Sequence, residues 1–202
     1  MVRSPEQNAA LRVATRERIE TAAVRVFARR GFAASSIKDI ADEAGLSAGS
    51  IYRHYASKEA LFDALLEEAS SGLVAASAML SADADPVVLV REFTRVFVTD
   101  LMNGNGEAEF FLVINQGFIS DTPAGTAERL ARTQRPLWDA FEAVVRRGQA
   151  AGQFDDGDPA QLTAYYFAML SGIAGMRTVI PTATTEAGID LVLRLLMRKD
   201  AS

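Results

Sequence analysis

SIKDIADEAGLSAGSIYRHY, residues 36–55, has the pattern of two short helices joined by a tight turn. Ser36 is a typical N-cap residue, and Asp39 three positions later would complete a capping box at the start of the first helix. Gly45 follows this helix, where a C-terminal cap requires the positive φ that glycine adopts without strain. Between these ends, apolar residues recur at the i, i+3, i+4 and i+7 spacing of one helix face: Ile37, Ile40, Ala41 and Ala44.

The second helix would begin after Ser47, which is again a typical N-cap residue. Its inner face is apolar, with Ala48, Ile51 and Tyr55. Its outer face is small, polar and basic and carries no acid: Gly49, Ser50, Arg53 and His54. A short amphipathic helix of this kind after a tight glycine turn is typical of a helix-turn-helix. A plain helical hairpin inside a bundle is the alternative.

The segments on either side of the motif extend the pattern. From Thr15 to about Leu66 the chain resembles the DNA-binding domain of the TetR family of transcriptional regulators. The matching segments are IETA at 19–22, VFARRGF at 26–32, IKDIA at 37–41, AGLS at 44–47, IYRHY at 51–55 and SKEAL at 57–61. Members usually carry Phe where this chain has Tyr55, and because either ring can pack there we predict that the difference is neutral.

Composition places the chain among globular proteins. Of its 202 residues, 49% are hydrophobic and 23% charged, which is close to the usual balance. The sequence has no run of 18 apolar residues and no apolar stretch near its start, so we expect neither a membrane span nor a signal peptide. The absence of cysteine excludes disulfides and thiolate metal sites. We therefore expect a soluble cytoplasmic protein.

The net charge of −5 is divided unevenly along the chain. Residues 1–60 contain ten Lys and Arg against seven Asp and Glu, whereas residues 61–202 contain eleven against nineteen. Attraction to phosphate depends on where the positive charge lies, so this division is consistent with a basic DNA-binding part on an acidic body. Chance variation along the chain is the alternative.

Apolar stripes at helical spacing continue to the end of the chain. A long helix over 57–80 would leave the motif, and further helices are predicted over about 89–101, 110–119, 126–151 and 159–180, with a last one after Thr184 or Thr185. Pro136 should kink the helix that contains it or leave it locally unpaired. Residues 1–10 are polar or small, and we expect them to be disordered. We predict an all-α fold with an N-terminal three-helix helix-turn-helix DNA-binding domain at 12–66, followed by a helical-bundle ligand-binding and dimerisation domain at 67–202.

The resemblance implies a function as well as a fold. It implies nine or ten helices, a homodimer formed by the last two long helices, and a ligand cavity in the body. It also implies repression by binding a near-palindromic operator, with release when a small molecule enters the cavity. The alternatives are an activator or a corepressor-dependent regulator on the same fold, and a helical interaction protein that does not bind DNA.

The candidate DNA contacts lie in and beside the motif. Ser50 and Arg53 are predicted to touch base edges, since Arg can bond guanine O6 and N7 together. The resemblance implies phosphate contacts from Tyr52, from Lys58 and from the start of the first motif helix. Arg12, Arg16 and Arg18 precede the motif and are either an arm that reaches DNA or solvated surface charges. The predicted set is Ser36, Lys38, Ser47, Ala48, Gly49, Ser50, Tyr52, Arg53, His54 and Lys58.

Aromatic residues are concentrated in the predicted body, where they would line a cavity for an apolar, drug-sized effector. The candidate pocket residues are Phe93, Phe97, Phe110, Phe111, Ile114, Phe118, Trp138 and Phe141. Among polar residues of the same helices, Arg95, Asn115, Gln116 and Gln134 could orient a ligand, and packing of the rings into a plain core is the alternative.

The last two predicted helices have more apolar surface than one core-facing stripe requires, which indicates a subunit interface. The candidate interface residues are Tyr165, Met169, Gly172, Met176, Ile189, Val192, Leu193 and Leu196. Burial of both helices inside one protomer is the alternative.

No catalytic motif is present. A single histidine excludes a metal site built on a His pair, and the sequence contains neither a Walker-type loop nor G-x-S-x-G. We predict no enzymatic activity, no cofactor and no metal. The predicted partners are double-stranded operator DNA, a small-molecule effector and a second copy of the chain, without a membrane.

Overall fold

The computed structural model describes residues 5–103, 107–176 and 186–198. The regular secondary structure of these ranges is helical, apart from an isolated bridge between Phe154 and Met197. In chain order the helices are α1 (Pro5–Arg30), α2 (Ile37–Ala44), α3 (Ala48–Tyr52), α4 (Lys58–Leu80), α5 (Pro86–Asn103), α6 (Glu107–Ser120), α7 (Thr126–Ala150), α8 (Pro159–Met176) and α9 (Glu186–Leu193). The predicted all-α fold is confirmed. None of the helices in the described ranges is long and apolar enough to cross a membrane.

Helices α1, α2 and α3 and the first two turns of α4 enclose one hydrophobic core, and we call this part the head. The predicted inner stripe of α2 is buried at all four positions, and Ile51 of α3 is fully buried. Three rings close the core at the end of α1, where Phe27, Phe32 and Phe62 lie with centroids 4.9 to 5.6 Å apart. Because interiors are close-packed, the four elements can move relative to one another only by repacking these side chains.

Helix α1 begins earlier than predicted. The expectation of disorder over 1–10 is wrong for residues 5–10, which form the first turns of α1, while residues 1–4 lie outside the described ranges. Residues 6–14 are exposed, so local preferences rather than packing account for the helix there. This segment is rich in strong helix formers, and Glu6 in the first turn complements the helix dipole.

Helix α4 connects the head to the remaining helices, which we call the body, without a break. Ser57 caps it, and its first turns supply Leu61 and Phe62 to the head core. Farther along, Leu73 packs against the core of the body. The predicted limit between residues 66 and 67 therefore lies inside a continuous helix, and the domain ranges 12–66 and 67–202 stay a prediction.

The body has its own core, formed by the end of α4 with α5, α7, α8 and α9. At its centre the ring of Phe141 stacks on that of Tyr166, with centroids 4.3 Å apart. The Tyr166 hydroxyl lies 2.7 Å from Thr94 Oγ1, so this buried polar group has a partner. Helix α7 continues through Pro136, which lies on its exposed side.

Helix α6 packs against both parts, touching α1 of the head and α7 and α8 of the body. Its Val113 is buried in the head core, whereas its Phe111 ring packs edge-on against Phe97 in the body, 5.2 Å away. The side chain of Gln116 adds a polar link, since its Nε2 donates to the Ala28 carbonyl of α1 at 3.1 Å. One helix is thus built into both parts of the molecule.

Half of the predicted dimer interface is not on the surface. Four of the residues, each at most 4% exposed, are Ile189, Val192, Leu193 and Leu196. The structure corrects the prediction for these four, because their side chains already fill the protomer's own core. Helix α9 also ends at Leu193, which leaves Leu196 in the following turn. The predicted caps Thr184 and Thr185 and the predicted end of α8 near residue 180 lie outside the described residues.

The other four predicted interface residues lie on α8. Tyr165 is 62% exposed, Met176 and Gly172 are exposed, and Met169 is half-buried. The spacing of Tyr165, Gly172 and Met176 places them on one face of the helix. Their role as an interface stays a prediction.

Gly148 of α7 allows the buried ring of Phe154 to pack directly on the helix backbone, because a Cβ at this position would overlap the ring. We expect Gly148→Ala to lower the free energy of unfolding by about 1–3 kcal/mol, since overpacking outweighs the gain in helix propensity. The matched control is Gly72→Ala in α4, where a Cβ would meet nothing within 4 Å. The control should raise the free energy of unfolding by about 0.5–1 kcal/mol. Urea denaturation measures both, and a Gly148→Ala variant as stable as Gly72→Ala would contradict this packing.

Candidate nucleic-acid interface and effector cavity

The turn between α2 and α3 has the predicted local geometry. Ser36 Oγ accepts a hydrogen bond from the Asp39 backbone N–H at 3.2 Å, and Asp39 Oδ2 accepts from the Ser36 N–H at 2.9 Å, which is a capping box. Gly45 ends α2 with φ of 61°, and Ser47 caps α3. Hydrogen bonds from Ser36 hold the pKa of Asp39 below its ordinary value, with a further contribution from Arg30.

The outer face of α3 is open to solvent. Gly49, Tyr52 and Arg53 are exposed, and α3 carries no acidic side chain. Arg53 Nη2 donates to Ser50 Oγ at 2.7 Å, so the guanidinium lies along the helix rather than extending freely. A basic group held beside a small, uncharged surface is suited to enter the major groove of DNA.

The remaining predicted DNA contacts surround this face. Ser47 and Lys38 are exposed, and Ala48 and His54 are half-buried. The Ser36 hydroxyl donates to Asp39 Oδ2 at 2.6 Å, so in the free protein it serves the cap. Their role as DNA contacts stays a prediction.

Lys58 has a structural role that sequence reasoning missed. Its Nζ donates to the carbonyls of Phe32 and Ser35, both at 2.7 Å, and lies 4.2 Å from the centroid of the Phe32 ring. The first residue of α4 thus fixes the loop between α1 and α2. No signal in the sequence could show this, because the acceptors are backbone atoms that only the fold brings to the ammonium group.

Two of the three acids of α2 form ion pairs with arginines at the end of α1. Arg29 pairs with Glu43 at 2.5 Å, and Arg30 pairs with Asp39 at 2.6 Å. Exposed pairs of this kind contribute little to stability. They do reduce the repulsion that two carboxylates would exert on a nearby phosphate backbone.

Tyr55 is more than a packing residue. Its ring is buried in the head core, as predicted, but its hydroxyl donates to Glu20 Oε1 of α1 at 2.5 Å. Burial and this hydrogen bond raise the pKa of Tyr55 above its ordinary value. The ring packs as the sequence predicted, and the hydroxyl adds a hydrogen bond that Phe could not make. The sequence offered one clue, a Glu directly after Ile19, the first residue of the apolar stripe of α1.

A cavity of about 230 Å³ lies between α4, α6, α7 and α8. Three of the predicted pocket residues line it: Phe110, Phe111 and Ile114. Asn115 and Gln134, both proposed from the sequence to orient a ligand, are in the lining as well. The residues that sequence reasoning missed come from α4, α7 and α8: Leu66, Gly72, Leu73, Leu130, Thr133, Leu137, Phe167 and Ser171.

The other five predicted pocket residues do not line this cavity, and the structure corrects those assignments. Phe93 and Phe141 pack with Tyr166 in the core of the body. Phe97 lies behind Phe111, against whose ring it packs. Phe118 and Trp138 stack on each other, with ring centroids 6.2 Å apart. Each of these five rings packs against another ring, and none of the five is in the cavity lining.

Two further polar candidates are engaged elsewhere. Gln116 bonds to α1, as described above, and Arg95 pairs with Glu92 at 2.6 Å. Neither residue is in the cavity lining.

Comparison with known proteins agrees with this architecture. Residues 19–65 match the sequence model of a family described as bacterial regulatory proteins, tetR family. The transcriptional repressor NicS of Pseudomonas putida is 31% identical over 143 residues, which cover 70% of this chain and 66% of NicS. Other curated regulators reach 52% identity, but the chain matches only 16% to 24% of their length.

Solved structures extend the likeness over most of the chain. The TetR family transcriptional regulator PfmR of Thermus thermophilus is 28% identical, with a TM-score of 0.67 over 89% of this chain and 99% of PfmR. The structure of a complex of SmeT with triclosan shares the fold at 23% identity, with a TM-score of 0.68 over 92% of this chain and 93% of SmeT. In agreement with the lack of catalytic motifs, NicS is named as a transcriptional repressor and PfmR as a transcriptional regulator, and neither is named as an enzyme. The chain belongs to the TetR family of bacterial regulatory proteins.

Proposed function

We propose that this chain is a cytoplasmic transcriptional repressor that binds a near-palindromic operator as a homodimer and leaves it when a small effector enters the cavity. The proposal divides the chain into a DNA-binding domain at 12–66 and a ligand-binding and dimerisation domain at 67–202. The observation that carries it is the position of α6, which lines the cavity with Phe111 and Ile114 and enters the head core with Val113. The naming of NicS as a repressor and the binding of triclosan by SmeT support it.

DNA reading is assigned to the outer face of α3. Arg53 would leave Ser50 and bond guanine O6 and N7, while the exposed Gly49 permits a close approach of the helix to the bases. Phosphate contacts from Tyr52, His54 and the start of α2 would fix the orientation of the head without reading sequence.

Dimerisation is assigned to the outer faces of the last two helices. On α8 this face carries Tyr165, Gly172 and Met176, and the large exposed apolar residues of α9 and the turn after it are Leu191 and Leu195. Large apolar side chains exposed on these two helices indicate a contact surface. A twofold axis through it would place two heads on successive major-groove faces, about 34–36 Å apart.

The effector is assigned to the cavity between α4, α6, α7 and α8. About 230 Å³ is below the usual range of pockets for drug-sized ligands, so we expect a compact molecule of one or two rings rather than a larger one. The lining residues are apolar or neutral polar, and an unpaired charge is costly to bury, so the effector should be neutral or weakly polar. It would push α6 and α4 apart and change the spacing of the two heads.

Two variants separate base reading from phosphate binding. Arg53→Ala should cost about 1–3 kcal/mol on the operator and relax the preference at one base position per half-site. Lys38→Ala, at the exposed start of α2, should weaken binding to all duplexes similarly and reduce the salt dependence by roughly one charge per subunit. Fluorescence anisotropy with a duplex selected by the wild-type protein from a random pool, and with its single-base variants, measures both effects. Arg132→Ala, which removes a cation from α7, is the control, and identical profiles for the two head variants would contradict this assignment.

A charge on the outer face of α8 should dissociate the dimer. We expect Tyr165→Glu and Met176→Glu to give folded monomers that lose most of their operator affinity, because each would bury an unpaired carboxylate in the interface. Light scattering gives the mass, and Val74→Glu at another exposed apolar position is the control. An intact dimer for both α8 variants would place the interface elsewhere.

Filling the cavity should remove the response to effector without removing DNA binding. Ser171→Leu adds volume in the lining, whereas Ala143→Leu adds similar volume on the exposed side of α7. Thermal shift with a panel of neutral one- and two-ring aromatics such as naphthol should find ligands for the wild type and for Ala143→Leu, and none for Ser171→Leu. Sugar phosphates should not bind any of the three proteins. A ligand that binds Ser171→Leu as well as it binds the wild type would exclude this cavity as its site.

A further inference from the structure

The recognition helix α3 is only five residues long, so its orientation depends on what holds its two ends. Ser47 caps the first end. At the other end the backbone N–H groups of His54 and Tyr55 donate to the Ile51 carbonyl at 2.8 and 2.9 Å. The position of Tyr55 is therefore tied directly to the last turn of α3.

The Tyr55 side chain connects this end of α3 to α1. The tyrosine is 7% exposed, and its hydroxyl donates to Glu20 Oε1 at 2.5 Å. Glu20 is itself only 9% exposed. A hydrogen bond to a carboxylate is about twice as strong as one between neutral groups and is directional, so it fixes an angle that ring packing alone does not.

A third member completes the network. Arg16 Nε donates to the same Oε1 of Glu20 at 2.9 Å, and the guanidinium carbon lies 5.9 Å from the centroid of the Tyr55 ring. Arg16 is more than half exposed, so it connects a buried carboxylate to solvent. A buried carboxylate needs such partners because burial of an unpaired charge is unfavourable.

Packing does not require this network. Phenylalanine at position 55 would keep the ring within the head core and would remove only the atom that reaches Glu20. Buried polar groups of this kind are best attested as devices that select one arrangement among several packings of similar stability. The hydroxyl connects the two elements whose relative angle sets where Ser50 and Arg53 point.

We propose that Tyr55 is a positioning residue for DNA recognition, and that its hydroxyl, through Glu20, holds α3 at the angle to α1 at which Ser50 and Arg53 meet the bases. The proposal rests on the proposed function, since it assumes that α3 reads DNA. It makes the Tyr55 hydroxyl important for discrimination between sequences, whereas attraction to DNA in general comes from other groups.

The test compares affinity for the duplex selected by the wild-type protein with affinity for a scrambled duplex of equal length, at one salt concentration and with the full chain. Tyr55→Phe should lower the ratio of the two affinities about tenfold, with binding to the scrambled duplex unchanged. Glu20→Ala should lower the ratio at least as far, and the double variant should be no worse than Glu20→Ala, because both changes remove the hydrogen bond between Tyr55 and Glu20. Glu20→Gln should retain most of the ratio, since its amide oxygen still accepts from the hydroxyl.

Tyr166→Phe is the matched control. It also removes a buried tyrosine hydroxyl, the one beside Thr94 in the body, and should change the melting temperature without changing the ratio. A Tyr55→Phe protein with a lower melting temperature but the wild-type affinity ratio would show that the hydroxyl only stabilises the fold, and would overturn the proposal. Additive losses in the double variant would overturn it as well. A wild-type protein that prefers no duplex over the scrambled one would instead refute the proposed function.

Discussion

The rest of the structure depends on the sharing of α6 between two hydrophobic cores. Val113 is buried in the core of the head, and three residues farther along Gln116 bonds to the α1 backbone. On another side of the same helix, Phe111 and Ile114 line the cavity of the body. Close-packed interiors change between discrete arrangements rather than deform continuously. A shift of α6 at the cavity must therefore be accompanied by repacking of the head core.

The head converts such a shift into a change in DNA reading because its reading helix has little stability of its own. Helix α3 is too short to persist alone, and its orientation comes from the cap at Ser47, the αL turn at Gly45 and the anchoring of Tyr55. Lys58 fixes the neighbouring loop by two carbonyl contacts. Each of these contacts joins α3 or its flanks to another element, so the geometry of the reading face is a property of the whole head.

Local sequence predicted the local features well. The apolar stripe of α2, the serine caps and the role of Gly45 could be predicted from the sequence, because each depends on residues within one or two helical turns. The packing partner of an apolar helix face could not be predicted from local sequence. Ile189 and Leu193 have the pattern of an interface, yet they face their own core, and Phe93 and Phe141 have the composition of a pocket, yet they pack with Tyr166. Periodicity gives the direction of a side chain along its helix, whereas its neighbour depends on the tertiary arrangement.

The most direct test of coupling between cavity and head is a pair of calorimetric titrations with one effector, into the free protein and into the operator-bound protein. Coupling between two sites is reciprocal, so the operator should weaken effector binding by the same factor by which the effector weakens operator binding. We expect this factor to lie between about 5 and 150, the usual range for allosteric proteins. Equal effector affinities in the two titrations would show that occupation of the cavity does not bias the head, and would contradict the mechanism built on α6.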